Sequence, residues 1–487
     1  MASKTLLAFT ASLLAIGCAT SSDAQQAQRS RAISQGSSST AAQQHPQIVE
    51  QFGGEEGGAR GAYVQSIGAK VTARTNIQGG ANAFRITTLN SPVMNAFAVP
   101  GGYLYITRQL LGLMNDEAEL ASVLGHEAGH IAARHSSERQ RAGLLSQILA
   151  VGAAVVTGSG QLGQLAGQVS QGLFLSYSRN QEFEADDLGV RYISAAGYDP
   201  TASATFLASL GAATSLESRA AGRNDERSTP SWARTHPLSE DRVRRATQKA
   251  QATGTVGRGV RNRDAFLAQV NGMMVDDDPK QGVIEGRAFL HPDLRLRFEV
   301  PNGYGMQNGA RAVSIVGQQG QAMFSTGAFN GDMNAYIAQA FRTVAGQQTQ
   351  VDYSQPRSTT VNGIPAFYST ARVATQKGQV DLTIFAYRFE ANSAYHFAMV
   401  TPAGSGLGPF SSMVQSVGRL SAAEASAIRP RVINVVTANR GDTVQTLANR
   451  MAYNDLKVER FRVLNGLAAN QEPTVGQRVK LVVYASR

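Results

Sequence analysis

The chain has 487 residues, 43% hydrophobic and 16% charged, with 49 glycines and a formal net charge of +10 at pH 7. This balance excludes a disordered or membrane-spanning chain and leaves room for two to four globular domains. The basic surplus favours anionic surfaces, but no aromatic-interleaved basic patch or zinc-finger spacing points to nucleic acid, which is not an expected partner.

Residues 1–17 read as an export signal: Lys4 is the positive flank, and Leu6 to Ile16 is an apolar run too short to span a bilayer. The run ends at Leu14-Ala15-Ile16-Gly17-Cys18, which resembles a bacterial lipobox, and Cys18 is the only cysteine. Lipidation at Cys18 is the expectation. Ala19 and Thr20 follow it, not the Asp that would retain a lipoprotein in the inner membrane of a Gram-negative cell. Residues 18–58 are expected to be a disordered tether, because 19–47 are rich in Gln, Ser and Ala; such a chain reaches roughly 30 Å.

The next unit, 59–251, opens with a helix over 59–74, with Tyr63, Ile67 and Val71 on one face. Strands are expected at 84–89, 93–99 and 102–107, separated by Asn-Ser-Pro and Pro-Gly-Gly turns. The middle strand, with Asn95, Ala96 and Phe97, can offer a backbone edge to an extended peptide. Asn115-Asp116 then caps a helix with Glu117 and Glu119 in its first turn.

That helix carries His126-Glu127-Ala-Gly-His130. Residues at i and i+4 stand about 40° and about 6 Å apart, so His126 and His130 can close on one tetrahedral Zn²⁺. Glu127 projects toward the metal's open position, where it can take a proton from an acidified water. Residues 142–175 read as a Gly/Ala/Gln-rich helical pair. Beyond them Glu182 and Asp186 again lie at i and i+4. Glu182 can be the third ligand, and Asp186 can accept a hydrogen bond from a ligand histidine's second nitrogen.

The H-E-x-x-H at His126–His130 with the S-R-x-x-E-x-x-A-D at Ser178–Asp186 resembles the HtpX-like and CAAX-prenyl-protease-like zinc metallopeptidases. The Asn95–Gly102 strand is similar to that family too, and its periplasmic branch includes the BepA-type proteases. The resemblance runs over about 59–250 and implies a gluzincin fold, one zinc per chain, and Glu182 rather than Glu184 as ligand. His135 falls off the ligand face and is expected at the surface. Family members carry a T-H-P segment near the active site, here Thr235-His236-Pro237. This makes His236 a candidate for the fourth zinc position at rest or for stabilising the tetrahedral intermediate, with Arg242 a candidate for the oxyanion. Polar 224–234, with the only Trp, is a candidate lid.

Residues 252–283 read as a linker whose Asp276-Asp277-Asp278 is a solvated turn. Residues 284–427 alternate like an α+β unit, with strands at 294–300, 312–316, 322–326, 366–374, 379–389 and 393–401 around a helix near 333–344; the pattern faintly resembles PsbP-like α/β sandwiches. In 428–487, Gly441-Asp442-Thr443-Val444, Leu464-Asn465-Gly466 and Gly476-Gln477-Arg478-Val479 resemble a LysM domain, a βααβ fold that binds N-acetylglucosamine glycans. Ala438 stands where that family has a bulkier apolar residue.

The expected architecture is therefore α+β and multidomain: a mainly helical gluzincin peptidase with a small sheet, a sandwich-like α+β unit, and a βααβ LysM-like unit. The expected protein is a periplasmic, outer-membrane-anchored zinc endopeptidase acting on unfolded or misassembled envelope proteins, with peptidoglycan as a partner of 428–487. The alternative is a chaperone-like scaffolding lipoprotein with a latent zinc site.

Overall fold

The structure, a computed structural model, describes residues 32–135, 177–220, 236, 240–345, 351–375 and 378–486. Cys18 and its export signal, the helical pair at 142–175, the candidate lid at 224–234 and both flanks of His236 lie outside them. Among the described residues no helix is long and apolar enough to cross a membrane.

The first helix, α1 (Gln35–Gln51), corrects the tether expectation. Its Ala41, His45 and Ile48, at i, i+4 and i+7, form a narrow stripe that is buried. The stripe packs on Phe97, Val99 and Tyr105 of the sheet that follows, and His45 Nδ1 lies 2.9 Å from the Tyr105 hydroxyl. A Gln/Ser/Ala-rich segment cannot bury enough surface alone, but an aromatic sheet face supplies the missing half.

α2 (Gly58–Thr72) leads into β1 (Arg85–Leu89), β2 (Ala96–Val99) and β3 (Tyr103–Thr107). Their order is β1-β3-β2, β3 pairing parallel with β1 and antiparallel with β2, so β2 is an edge strand. Gly101, in the β2–β3 turn, has φ 113°, and a Cβ there would lie 2.6 Å from the Ser37 carbonyl oxygen of α1. Only glycine fits that turn.

Behind the sheet lie α3 (Arg108–Leu113), α4 (Glu117–Ala132), α5 (Arg179–Ala195), α6 (Ala202–Ala220) and α7 (Glu240–Ala252). Asp116 caps α4 by accepting from Glu119 N at 3.0 Å, and every residue of α4 is buried. α4 and α5 approach closely through Gly125, Gly129 and Gly189. A Cβ on Gly189 would lie 3.1 Å from His126 N, and one on Gly129 3.1 Å from the Ala185 carbonyl. This glycine contact brings the two motif-bearing helices side by side.

The stretch read as a linker is built into the body. It forms α8 (Arg263–Val270) and β4 (Met274–Val275), with Phe266, Leu267 and Val270 fully buried. Nor is Asp276 a solvated turn. Its carbonyl accepts from Arg108 Nη2 at 2.7 Å, and its carboxylate from the Tyr453 hydroxyl at 2.8 Å. Arg108 is fully buried, and its charge is met by oxygen acceptors: besides the Asp276 carbonyl, Asn90 Oδ1 at 2.7 Å from Nε and the Met274 carbonyl at 3.2 Å from Nη1.

Next come β5 (Val283–Glu285), β6 (Ala288–His291), β7 (Leu296–Glu299), β8 (Gly305–Asn308), β9 (Ala312–Gly317), β10 (Gly320–Thr326), α9 (Met333–Ala345), β11 (Arg357–Val361), β12 (Ile364–Thr375), β13 (Gly378–Glu390), β14 (Ser393–Pro402), α10 (Ser411–Ser416) and β15 (Gly418–Arg419). A seven-stranded antiparallel sheet, β11-β12-β13-β14-β10-β9-β8, packs one face on α9 through Ile337, Phe341, Leu382 and Ile384. Its other face meets the four-stranded sheet β15-β7-β6-β5 through Phe289, Phe298, Phe324 and Phe397.

The chain closes with β16 (Arg431–Thr437), α11 (Val444–Asn449), α12 (Lys457–Asn465) and β17 (Arg478–Tyr484). β16 pairs antiparallel with both β17 and β4. Ile433, Leu447, Phe461, Val479 and Leu481 share one hydrophobic core with Leu110, Leu111 and Leu120 of α3 and α4. The C-terminal unit is thus packed into the helical body.

Candidate metal centre

One turn apart on α4, His126 and His130 turn their Nε2 atoms to within 3.0 Å of each other. α5 is capped by Ser178, whose hydroxyl accepts from Gln181 N while the Gln181 side chain accepts from Ser178 N. This capping box fixes the first turn, and Glu182 and Asp186 follow on the face that meets α4. Glu182 carboxylate oxygens lie 3.5 Å from His130 Nε2 and 3.7 Å from His126 Nε2. His236 brings Nδ1 to 2.9 Å from Glu182 Oε1 and 3.2 Å from His126 Nε2.

These four residues are all buried, and one donor atom from each lies within 4.8 Å of the others. A tetrahedron with bonds of about 2.0 Å has edges of about 3.3 Å, so the observed separations fit one ion. Nitrogen atoms as close as His126 Nε2 and His130 Nε2, with lone pairs converging, are what a shared cation accommodates. The donor set of three imidazoles and a carboxylate suits Zn²⁺.

Around the donors lies a layer of charge. Asp186 Oδ1 is 2.9 Å from His126 Nδ1. Arg242, from the first turn of α7, donates through Nε and Nη2 to the two Asp186 oxygens at 2.8 Å each. Its Nη1 is 2.7 Å from Glu182 Oε2. The oxyanion role expected for Arg242 does not survive this geometry, because two buried carboxylates hold its guanidinium. Burial works to raise the Asp186 carboxyl, but the charge and hydrogen bonds of Arg242 and the His126 contact hold it well below the usual carboxylate range. Glu182 is likewise lowered against its burial, by His236 and Arg242.

Glu127 is fully buried, with Oε1 3.6 Å from His236 Nε2. Asn95, just before β2, and Ala96 on it are buried, and Ala96 and Ala98 share the core of α4. Phe97 faces the other way, stacking on Tyr105 at 4.9 Å and against Phe52 at 5.4 Å. Any substrate contact at β2 is therefore left to its backbone edge and not to the Phe97 ring.

His135 corrects the surface expectation. It is only 4% exposed, and its Nδ1 lies 2.9 Å from His130 Nδ1. α4 ends at Ala132, and Arg134 takes a left-handed φ of 63°, which swings His135 back beneath His130. Helical periodicity carried past Ala132 misplaces it. Tyr177 was also missed: its ring stacks on His130 with centroids 3.7 Å apart and planes 13° from parallel. It stands one residue before the S-R motif, and no spacing signal marks it.

Residues 59–250 match the family model described as peptidase family M48. The mitochondrial metalloendopeptidase OMA1 of Schizosaccharomyces pombe is 34% identical over 165 residues, 33% of this chain and 45% of that protein. The beta-barrel assembly-enhancing protease of Escherichia coli K12 is 32% identical over 199 residues, 39% of this chain and 38% of that protein. A putative beta-barrel assembly-enhancing protease of Vibrio cholerae is 31% identical over 200 residues, 39% of each chain. The chain spans less than half the length of these curated relatives.

Proposed function

We propose, from the match of residues 59–250 to peptidase family M48, that the chain is a zinc-dependent endopeptidase of the bacterial envelope. The observation that carries this reading is the buried His126, His130, Glu182 and His236 group with Glu127 beside it. His126, His130 and Glu182 would hold zinc, which when bound would supply a Lewis acid for a peptide carbonyl and lower the pKa of water. Glu127 is the general base that takes the water's proton and returns it to the leaving amine. Asp186, steadied by Arg242, fixes the ring and tautomer of His126. His236 stands where a fourth donor would, which supports a resting centre closed to substrate. An extended peptide would lie along the stretch Asn95–Phe97 and pair with the outward backbone groups of Ala96, since Asn95 N and O are bonded to Thr107.

The substrates we propose are unfolded or misassembled envelope proteins, a reading supported by relatives named for β-barrel assembly. Lipidation at Cys18 would hold the enzyme at the outer membrane from the periplasmic side. We further propose the division of the chain into the 59–251 peptidase, the sandwich-like 284–427 unit and a LysM-like 428–487 unit. The β16-α11-α12-β17 order supports the last, and the exposed loops around residues 439–443 and 468–472 are where peptidoglycan would bind. A second reading, a scaffolding lipoprotein with a latent zinc site, is favoured by His236 lying among the donors.

The deciding experiment is cleavage of an unfolded envelope protein by the purified chain, with and without a chelator, alongside Glu127→Gln. Chelator-sensitive cleavage that Glu127→Gln loses by about 10²–10⁴-fold, with zinc retained, supports the enzyme. Zinc binding without cleavage by the wild type supports the scaffold.

A further inference from the structure

A metal-bound imidazole needs its second nitrogen held, or its ring and tautomer drift and affinity falls. For His126 the holder is Asp186. For His130 the Nδ1 neighbour is a third histidine, His135, at 2.9 Å. We propose that His135 is the positioning residue for His130, a proposal that rests on the zinc reading above.

The hydrogen-bond polarity is determined by the ligand. If His130 keeps its Nε2 lone pair for the metal, its Nδ1 carries the hydrogen and donates. His135 Nδ1 is then the acceptor, so the His135 hydrogen sits on Nε2. That atom lies 3.3 Å from Glu184 Oε2. The result is a relay from carboxylate through imidazole to ligand imidazole, one residue longer than the Asp186–His126 pair. It also gives Glu184 a role as the relay's outer anchor.

Two independent features show that the arrangement is built. The His130 ring is clamped on its face by Tyr177, so only its in-plane rotation is left to control, and the His135 contact controls it. The backbone also departs from its preferred form to make the contact. Arg134 adopts a left-handed φ of 63°, a conformation that glycine or asparagine takes readily and arginine does not. Continued as helix, residue 135 would point about 140° away from residue 130.

The test is zinc affinity of the purified full chain, measured by competition with a chromophoric chelator, beside melting of the zinc-free protein. His135→Phe keeps a ring and removes the acceptor, and should weaken zinc binding about 10- to 100-fold while the zinc-free melt stays near the wild type. His135→Asn returns an acceptor oxygen close to the Nδ1 position and should recover most of the affinity. His135→Leu is the second acceptor-free variant should Phe fail to fold. Wild-type zinc affinity in a folded Phe or Leu variant overturns the proposal. So does equal loss in the Phe and Asn variants with a lowered zinc-free melt, which is a packing role only. A wild-type chain that binds no zinc refutes the zinc reading instead, and so the two failures are distinguishable.

Discussion

The Nζ of Lys480 lies 2.6 Å from the carbonyl oxygen of Met114, across 366 residues of chain. It also donates to the carbonyls of Gly112 at 2.7 Å and Leu113 at 3.2 Å. These are carbonyls at the C-terminal end of α3, where a helix leaves acceptors without partners and presents the negative end of its dipole. Asn465 holds Lys480 by accepting from its backbone N at 2.7 Å and donating to its carbonyl at 2.9 Å. One residue beyond Met114, Asn115 N donates to Glu119 in the first turn of α4. The C-terminal unit therefore secures the turn from which the metal-bearing helix starts.

Removing that cation should weaken the peptidase body without touching the metal donors. Burial pushes the Lys480 ammonium down to about 7, with Glu119 acting against it. Its three N–H groups nonetheless match three acceptors, so Lys480→Met takes the ammonium donor from the Gly112 and Met114 carbonyls, while Leu113 keeps Asn115 Nδ2 at 3.3 Å. The expected loss is about 2–4 kcal/mol by denaturant melting. A chain cut after residue 427 should melt far lower still, since Val479 and Leu481 leave the shared core. If that shortened chain melts like the full one, the C-terminal unit is not part of the body.

What the sequence made legible and what it hid divide along local and non-local lines. The donors on α4 and α5 were readable because a four-residue spacing on a helix is a property of the segment itself. The long strands β12, β13 and β14 were readable because alternation repeats along them, whereas β5 and β15, of three and two residues, are too short to alternate clearly. His135 was hidden by one backbone torsion at Arg134. α1 was hidden because its stripe gains meaning only against Tyr105. Asp276 read as part of a solvated turn and nothing local marks Lys480; only contacts with residues more than a hundred positions away make them structural.

Arg242 binds Asp186 and Glu182 at once, and all three are buried. Breaking a buried pair by removing one partner leaves the other charge uncompensated, at a cost of about 3–5 kcal/mol. Arg242→Met should lower the zinc-free protein's stability by that order, and added zinc should restore part of it by re-engaging Glu182. Melting with and without zinc measures both. Equal losses in the two conditions would mean that Arg242 does not steady the donors.

Acid should act first on the 284–427 unit, through His396. This histidine is buried, 2.9 Å from the Tyr336 hydroxyl, and desolvation lowers its pKa from 6.5 to about 4. The folded state therefore holds it neutral while the unfolded chain protonates near 6.5. Its contribution is complete above that pH and is lost as pH falls through 4, to a total of about 3 kcal/mol. His396→Phe should flatten this slope, leaving Tyr336 its bond to the Ala394 carbonyl. Calorimetry between pH 7 and 4 compares the two, and parallel curves would remove His396 as the cause.

The sharpest question at the centre is what His236 does. Its Nδ1 lies 2.9 Å from Glu182 Oε1 and 3.2 Å from His126 Nε2, which is the spacing of a fellow ligand. Its Nε2 lies 3.6 Å from Glu127 Oε1, which places it equally against the residue proposed as general base. Peptide hydrolysis needs one position open to water or a carbonyl, and a fourth protein donor closes it. His236→Ala should then leave His126, His130 and Glu182 to hold zinc, and basal peptide cleavage should rise. A group that instead stabilises the developing oxyanion is worth about 10²–10³ in turnover, so its loss would lower cleavage with zinc still bound. The sign of the change separates the two roles, and the zinc content guards against a trivial loss of metal. Unchanged cleavage with full zinc would remove His236 from both.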